Sequence, residues 1–456
     1  MTNCNDFYQQ RDHRTASYIQ GNPIEPQPLQ VCWGEDAAHS PAGQMILLAL
    51  SNQLARFCRK AGFSGPDAPL LIPAPFGGAS LHEAIMTACQ RIDPCGQWIR
   101  GELTEAVYRL GVGRQSPAAN LYLGATGWIA YAALQPTDLA SFSDKENLLG
   151  SGMAACIGAA NAFKVSFHLS QQLITGTFSL WSFKRNDNEP GPALVSTTLG
   201  DVLMVGAGAV ASALVYWLCY FPITGEWDIV DHDDVQLDNT NREPLFIAED
   251  AGWTKQSRQK KANVLAQYLL NARVHDCWFD EFEAQGKRWD LILPLANERG
   301  VRGLIQASYP PLMIHATTSA NWQTQLHRHR PGRDRCVNCR LPDSHQPAPA
   351  CAVGSIGIAN PGDDHPPDAA LPFLSAAAGL LIVADLLRLG LGEFEHLSGN
   401  LITLDWFADL GRPTVRQEQC LENCRSWGHQ QVRHTLNHAT RWYRMDKDSC
   451  AFISSH

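Results

Sequence analysis

Apolar and polar positions alternate in two distinct ways along the chain. In the second half, short apolar runs at 201–205, 227–230, 291–295 and 312–316 read as strands. Helical patterns at 210–217 and 260–271 lie between them. A strand–helix–strand rhythm of this kind predicts a doubly wound, mostly parallel, Rossmann-like α/β sheet. The first half shows weaker alternation. Its apolar runs at 70–75 and 121–125 are separated by helical patterns at 84–90 and 102–110. It reads as a degenerate α/β unit. The small-residue stretch 150–160 predicts a tightly packed helix. Between the halves, Arg185-Asn-Asp-Asn-Glu-Pro-Gly-Pro192 is polar and rich in breakers. The boundary is placed there, giving domains 1–190 and 191–456.

Composition narrows the classes. The 456 residues suffice for two domains, and 45% are hydrophobic, enough for full cores. A net charge of −9 argues against nucleic acid as the main partner. Residues 1–30 are polar, with no leader-like apolar run, and no uninterrupted 18-residue apolar stretch occurs. The most apolar segment, 371–389, is broken by Ser375, Asp385 and Arg388 and reads as a buried helix. No membrane association and a reducing cytoplasm are expected, with cysteine pairs serving metal or catalysis.

The chemistry concentrates in two strings. Gly206-Ala-Gly-Ala-Val-Ala-Ser212 leaves a strand and opens a helix. Gly206 permits a tight turn, and Gly208 lets backbone amides approach phosphate. Asp231-His-Asp-Asp-Val-Gln-Leu-Asp-Asn-Thr-Asn-Arg242 follows at the end of the next strand. Asp231 is placed to accept from ribose hydroxyls. Asn239 and Arg242, three apart, share a helical face. Gly124-Ala-Thr-Gly127 has no matching acidic string and is a weaker nucleotide candidate. Cys336-Val-Asn-Cys339 has the spacing of a zinc knuckle, and the wider pair Cys420-Leu-Glu-Asn-Cys424 would complete a tetrahedral Cys₄ site; the alternative is four reduced, unligated cysteines. His434 and His438 lie one helical turn apart and read as an exposed helix face rather than a metal site.

Taken in order, Gly206/Gly208, Asp231/Asp233, Asn239/Arg242 and Gly252-Trp-Thr-Lys255 resemble the ThiF/MoeB and ubiquitin-activating-enzyme family over about half the chain. The resemblance implies adenylation of a small β-grasp protein's C-terminal carboxylate with ATP, Mg²⁺ and structural Zn²⁺. By position, Arg242 and Lys255 bind phosphate, with Lys261 as the alternative to Lys255. Asn297, in Leu295-Ala-Asn-Glu-Arg299, stands where the family has a magnesium-binding aspartate, and Glu298 or Asp233 would then compensate. The family's crossover loop maps to 341–372, so Cys351 is the expected nucleophile for a thioester. An arginine of Arg11-Asp-His-Arg14 is the candidate cation from the first half. The chain also looks like the activating component of bacterial ubiquitin-like conjugation operons, some of them antiviral. Expected partners are the ubiquitin-like protein's tail and a conjugating enzyme. The chain would pair as a homodimer or as an internal pseudo-dimer. Alternatives are a sulfur-carrier adenylyltransferase of ThiF/MoeB type and a nucleotide-binding scaffold. A dehydrogenase would leave Asn239, Arg242 and Lys255 unexplained.

Overall fold

The computed structural model describes residues 3–19, 25–142, 146–253, 257–284, 286–296, 299–307, 310–319, 321–330, 334–340, 371–392, 399–407, 413–420 and 424. Lys255, Asn297, Glu298, Cys351, His434 and His438 lie outside these residues.

Two eight-stranded sheets form. The first holds β1 (Leu29–Trp33), β2 (Lys60–Ser64), β3 (Gln97–Arg100), β4 (Tyr108–Val112), β5 (Leu121–Thr126), β6 (Ile129–Ala133), β7 (Gly176–Ser179) and β8 (Lys184–Arg185). The second holds β9 (Thr197–Val205), β10 (Ile223–Val230), β11 (Ala272–His275), β12 (Leu291–Pro294), β13 (Met313–Thr318), β14 (Gln323–His329), β15 (Leu401–Asp405) and β16 (Thr414–Arg416). The strand orders are β3-β2-β1-β4-β5-β6-β7-β8 and β11-β10-β9-β12-β13-β14-β15-β16, one topology used twice. In each sheet the first five strands are parallel and the last three antiparallel. Strand β1 is buried at all five positions because helices cover the faces, and it is apolar except for Gln30, whose side chain is hydrogen-bonded.

Four apolar helices fill the space between the sheets. Pro41–Leu54 and Leu149–Ser166 lie on the first sheet, Pro372–Leu391 lies on the second, and Ala209–Leu218 packs against Pro372–Leu391. Small residues set their close approach. A Cβ on Gly379 would come within 2.5 Å of the Ala213 backbone, and one on Gly152 would meet Leu380 and Trp217. Pro372–Leu391 is long and apolar enough to cross a bilayer, but 89% of its apolar window is buried inside the fold. One hydrophobic core runs through both halves.

Buried polar ties lock the halves together. Arg56 donates to the carbonyls of Thr240 (2.6 Å), Pro244 and Phe246 (3.1 Å). Asn52 Nδ2 also donates to Pro244 O, at 3.1 Å. At the far end, Asp385 pairs with Arg328 (2.8 Å) and Arg388 (3.2 Å), and Arg388 reaches the Leu180 and Trp181 carbonyls. Against the expectation that the cysteines serve only metal or catalysis, Cys4 and Cys95 form a disulfide that fastens the first helix, Cys4–Ile19, beside helix Leu81–Ile92.

Two helical expectations fail. Residues 102–110 turn and enter β4, because Gln30 Oε1 accepts from Leu103 N (2.8 Å) and Tyr108 pairs with Leu29. The helix expected over 260–271 is only Lys261–Ala266, and Asn271 takes φ 57° to lead into β11.

Candidate nucleotide-binding site

The carboxyl ends of β9 and β10 open a crevice, the place where open parallel sheets take ligands. Gly206 adopts φ +94°, and a Cβ there would strike Ala296 N at 2.5 Å, so glycine is required for the turn. The Cβ position of Gly208, the N-cap of helix Ala209–Leu218, meets nothing within 4 Å. That open space above amides at a helix start fits a phosphate.

Asp231 organises the crevice. Its carboxylate accepts from Ala207 N (2.6 Å) and Asp233 N (2.8 Å), joining the glycine turn to the second string. Burial pushes this carboxyl up from its ordinary value, and Lys261 opposes the shift. Lys261 Nζ lies 2.8 Å from Asp233 Oδ2. Burial alone would lower the ammonium's pKa, but Glu243, Asp233 and Asp231 outweigh it and raise it.

Arg242 is 6% exposed. It donates to Asp238 O (2.6 Å) and Asn241 Oδ1 (3.1 Å), and it lies 3.4 Å from Glu243 Oε1. Asn239 braces the turn that carries it, accepting from Gln236 N at 2.7 Å. Arg14 reaches across from the first helix to Asp238 Oδ2 at 2.7 Å. Arg11 does not reach this cluster. It is buried against Asp12 (2.6 Å) and Asp93 (2.7 Å) within the first half. Burial raises the Asp238 carboxyl, but Arg242 and Arg14 more than offset this and hold it below the usual range.

Two site residues escaped the sequence reading. Asp238 links Arg14 and Arg242, and its spacing of four before Arg242 was the available signal. Glu243 is 1% exposed, and burial lifts its carboxyl, with Lys261 and Arg242 opposing. Nothing in the sequence marks it, since its burial depends on the Arg56 clamp over 240–246. For a divalent cation, ligand atoms of Asp231, His232 and Asp233 lie within 4.8 Å of one another. Of these, only the two carboxylates offer the oxygen donors that suit Mg²⁺; His232 offers a nitrogen.

The four predicted zinc cysteines come together. The sulfurs of Cys336, Cys339, Cys420 and Cys424 all lie within 4.8 Å of each other, and Cys336 and Cys424 are 3.6 Å apart. A tetrahedron with arms of about 2.3 Å has edges of about 3.8 Å, so the quartet fits zinc. Backbone amides of Cys336 and Cys339 point at Cys420 Sγ (3.1 Å) and Cys336 Sγ (3.4 Å), the support thiolate ligands receive.

A doubly wound sheet with a glycine turn, an aspartate tied to that turn and clustered cations has the architecture of a nucleotide-binding α/β protein. Residues 196–426, half of the chain, match the ThiF family, and the chain belongs to it. Residues 28–176 match the BilD N-terminal domain. The uncharacterized protein y4jF of Sinorhizobium fredii is 26% identical over 65% of this chain and 56% of its own. A ubiquitin-activating enzyme E1-like protein of Saccharomyces cerevisiae is 28% identical over 34% of this chain and 25% of its own. A sulfur carrier protein adenylyltransferase of Thermus thermophilus is 24% identical over 48% of this chain and 79% of its own. The chain thus spans about half, or less, of the first two relatives' length. Escherichia coli MccB solved with ATP covers 68% of the chain at 13% identity, with a TM-score of 0.38.

Proposed function

We propose that the chain uses ATP to adenylate the C-terminal carboxylate of a ubiquitin-like protein, then takes the acyl group onto Cys351 as a thioester. The observation that carries this is one charge cluster near the open Gly208 amides, in which Arg242 and Lys261 are buried and the partly exposed Arg14 is held by Asp238. A site for merely holding a nucleotide does not need three fixed cations there. Phosphoryl chemistry does, because negative charge spreads over phosphate oxygens at the transition state.

In the first step a carboxylate oxygen bonds to the α-phosphorus, and the bond to the leaving pyrophosphate breaks. Lys261 and Arg242 hold positive charge beside the departing oxygens. Asp231 holds the ribose, and Asp233 keeps Lys261 in place until phosphate replaces it. A divalent cation held by Asp233 would neutralise phosphate charge. In the second step the Cys351 thiolate bonds to the acyl carbon and AMP leaves, the thiol proton having gone to solvent. A mixed anhydride is activated enough to need no dedicated triad. Cytoplasmic location, a conjugating enzyme as recipient and a role in antiviral defence belong to this proposal.

The first half serves as a non-catalytic partner, making the chain an internal pseudo-dimer. Its matching crevice is filled from within. Helix Glu35–Ala38 after β1 begins with two acidic residues, where the second half has Ala209 and Val210. The Asp36 amide is taken by Gln115 Oε1 (3.2 Å), and the Asp36 carboxylate accepts from Arg114 N (2.6 Å) and Gln115 N (3.2 Å). A phosphate there would meet carboxylates already in place.

A second reading is a sulfur-carrier adenylyltransferase, favoured by the 79% coverage of the Thermus thermophilus relative. The two part at the thiol. The full chain is incubated with ATP, Mg²⁺ and a small β-grasp carrier protein ending in a free carboxylate. A reductant-sensitive adduct, lost in Cys351→Ala while ATP–pyrophosphate exchange persists, is the expected result. Exchange without any adduct favours sulfur-carrier chemistry, and ATP binding without exchange leaves a scaffold.

A further inference from the structure

On the β11 side of Asp231 lies an exposed aromatic surface. Asp231 N donates to His275 O (3.2 Å), so the ribose-side aspartate sits against the end of β11. Three residues on, Trp278 is 43% exposed, unusual for so large an apolar ring. The His232 ring, next to Asp231, covers one of its faces, with centroids 3.4 Å apart and planes 31° from parallel.

The two loops that carry these rings are fixed to each other. Lys260 Nζ donates to His232 O (2.7 Å) and pairs with Asp234 (3.4 Å) and Asp276 (3.3 Å). A loop tip with no task has no need of such a clamp around an exposed indole. The nucleotide's own connectivity supplies the task. With phosphates above Gly208 and the ribose at Asp231, the base must extend outward from β10, over β11. That direction leads to Trp278.

We infer that Trp278, backed by His232 and held by Lys260, is the stacking platform for the purine base of the nucleotide. This rests on the nucleotide reading above and adds the group that holds the base. Stacking takes any π-face, so the platform contributes affinity for nucleosides over bare polyphosphate rather than sharp selection among bases.

The test separates base from phosphate. Wild-type full chain, Trp278→Ala and Trp278→Phe are titrated by calorimetry with ATP and, separately, with tripolyphosphate, both with Mg²⁺. Loss of a base–aromatic stack weakens binding by about tenfold or more. Trp278→Ala is therefore expected to lose that factor for ATP and nothing for tripolyphosphate, while Trp278→Phe recovers most of the ATP affinity. Unchanged ATP affinity in Trp278→Ala, or equal losses for both ligands, overturns the platform alone. A wild-type chain that binds neither ligand overturns the nucleotide reading and the platform with it.

Discussion

At Lys261 burial and charge pull in opposite directions, and charge wins. Three carboxylates around a mostly buried ammonium keep it protonated through the working pH range. Removing one preorganised charge at a developing anion costs about 10²–10³ in rate. Lys261→Ala should therefore slow ATP–pyrophosphate exchange by that factor, and by more than Lys255→Ala does. The reverse ranking in paired exchange assays would return the phosphate role to Lys255. Spacing from Arg242 left both lysines open. Only the position of Lys261 at a helix start beside Asp233 separates them. The turn at Gly206 and the position of Asp231 beside it were legible, because a tight turn fixes glycine at one place and the next strand's end follows at a fixed interval. Glu243 was not, since a carboxylate enclosed by contacts from 190 residues away leaves no local trace.

The elements show a second source of illegibility. Strands β13 and β14 place His315, His327 and His329 on one face, with His315 stacked on His327 at 4.5 Å and on His329 at 5.1 Å. Read singly along the sequence, none of the three stands out. Burial depresses all three, and Arg340 and Arg302 lower them further, His329 to about 4. The unfolded chain takes up these protons near 6.5, so it binds more protons than the fold between about 6.5 and 4. Stability is fully present above that window and falls as pH drops through it. The urea midpoint should decline from pH 7 to pH 5, and less steeply in His329→Gln. An equal decline in that variant would remove the cluster from the account. The knuckle gives a firmer element-scale outcome. A strong chelator should strip zinc, lower Tm and expose the thiols of Cys336, Cys339, Cys420 and Cys424 to titration together, as metal binding is coupled to local folding. An unchanged Tm, with no zinc released, would leave four reduced cysteines.

Across the whole molecule, one topology appears twice with one glycine-turn crevice open and the other closed by Asp36. The sequence revealed the second copy and left the first blurred, because the fold needs only apolar strands in order, whereas phosphate binding needs particular residues. A shared core and the buried pair Arg328–Asp385, tied through Arg388 to the first half, make separate unfolding costly. Removing one partner of a buried pair costs about 3–5 kcal/mol. Asp385→Ala should lower stability by that order in a single cooperative transition, and two resolved transitions in calorimetry would mean independent halves.

In the proposed reaction Arg242 and Lys261 meet the triphosphate above the Gly206–Gly208 turn. ATP–pyrophosphate exchange by the full chain with its small carboxylate partner tests that contact most directly. Exchange in the wild type, reduced by about 10²–10³ in Arg242→Ala and again in Lys261→Ala, is the predicted result. Wild-type exchange that survives both substitutions undiminished would contradict it.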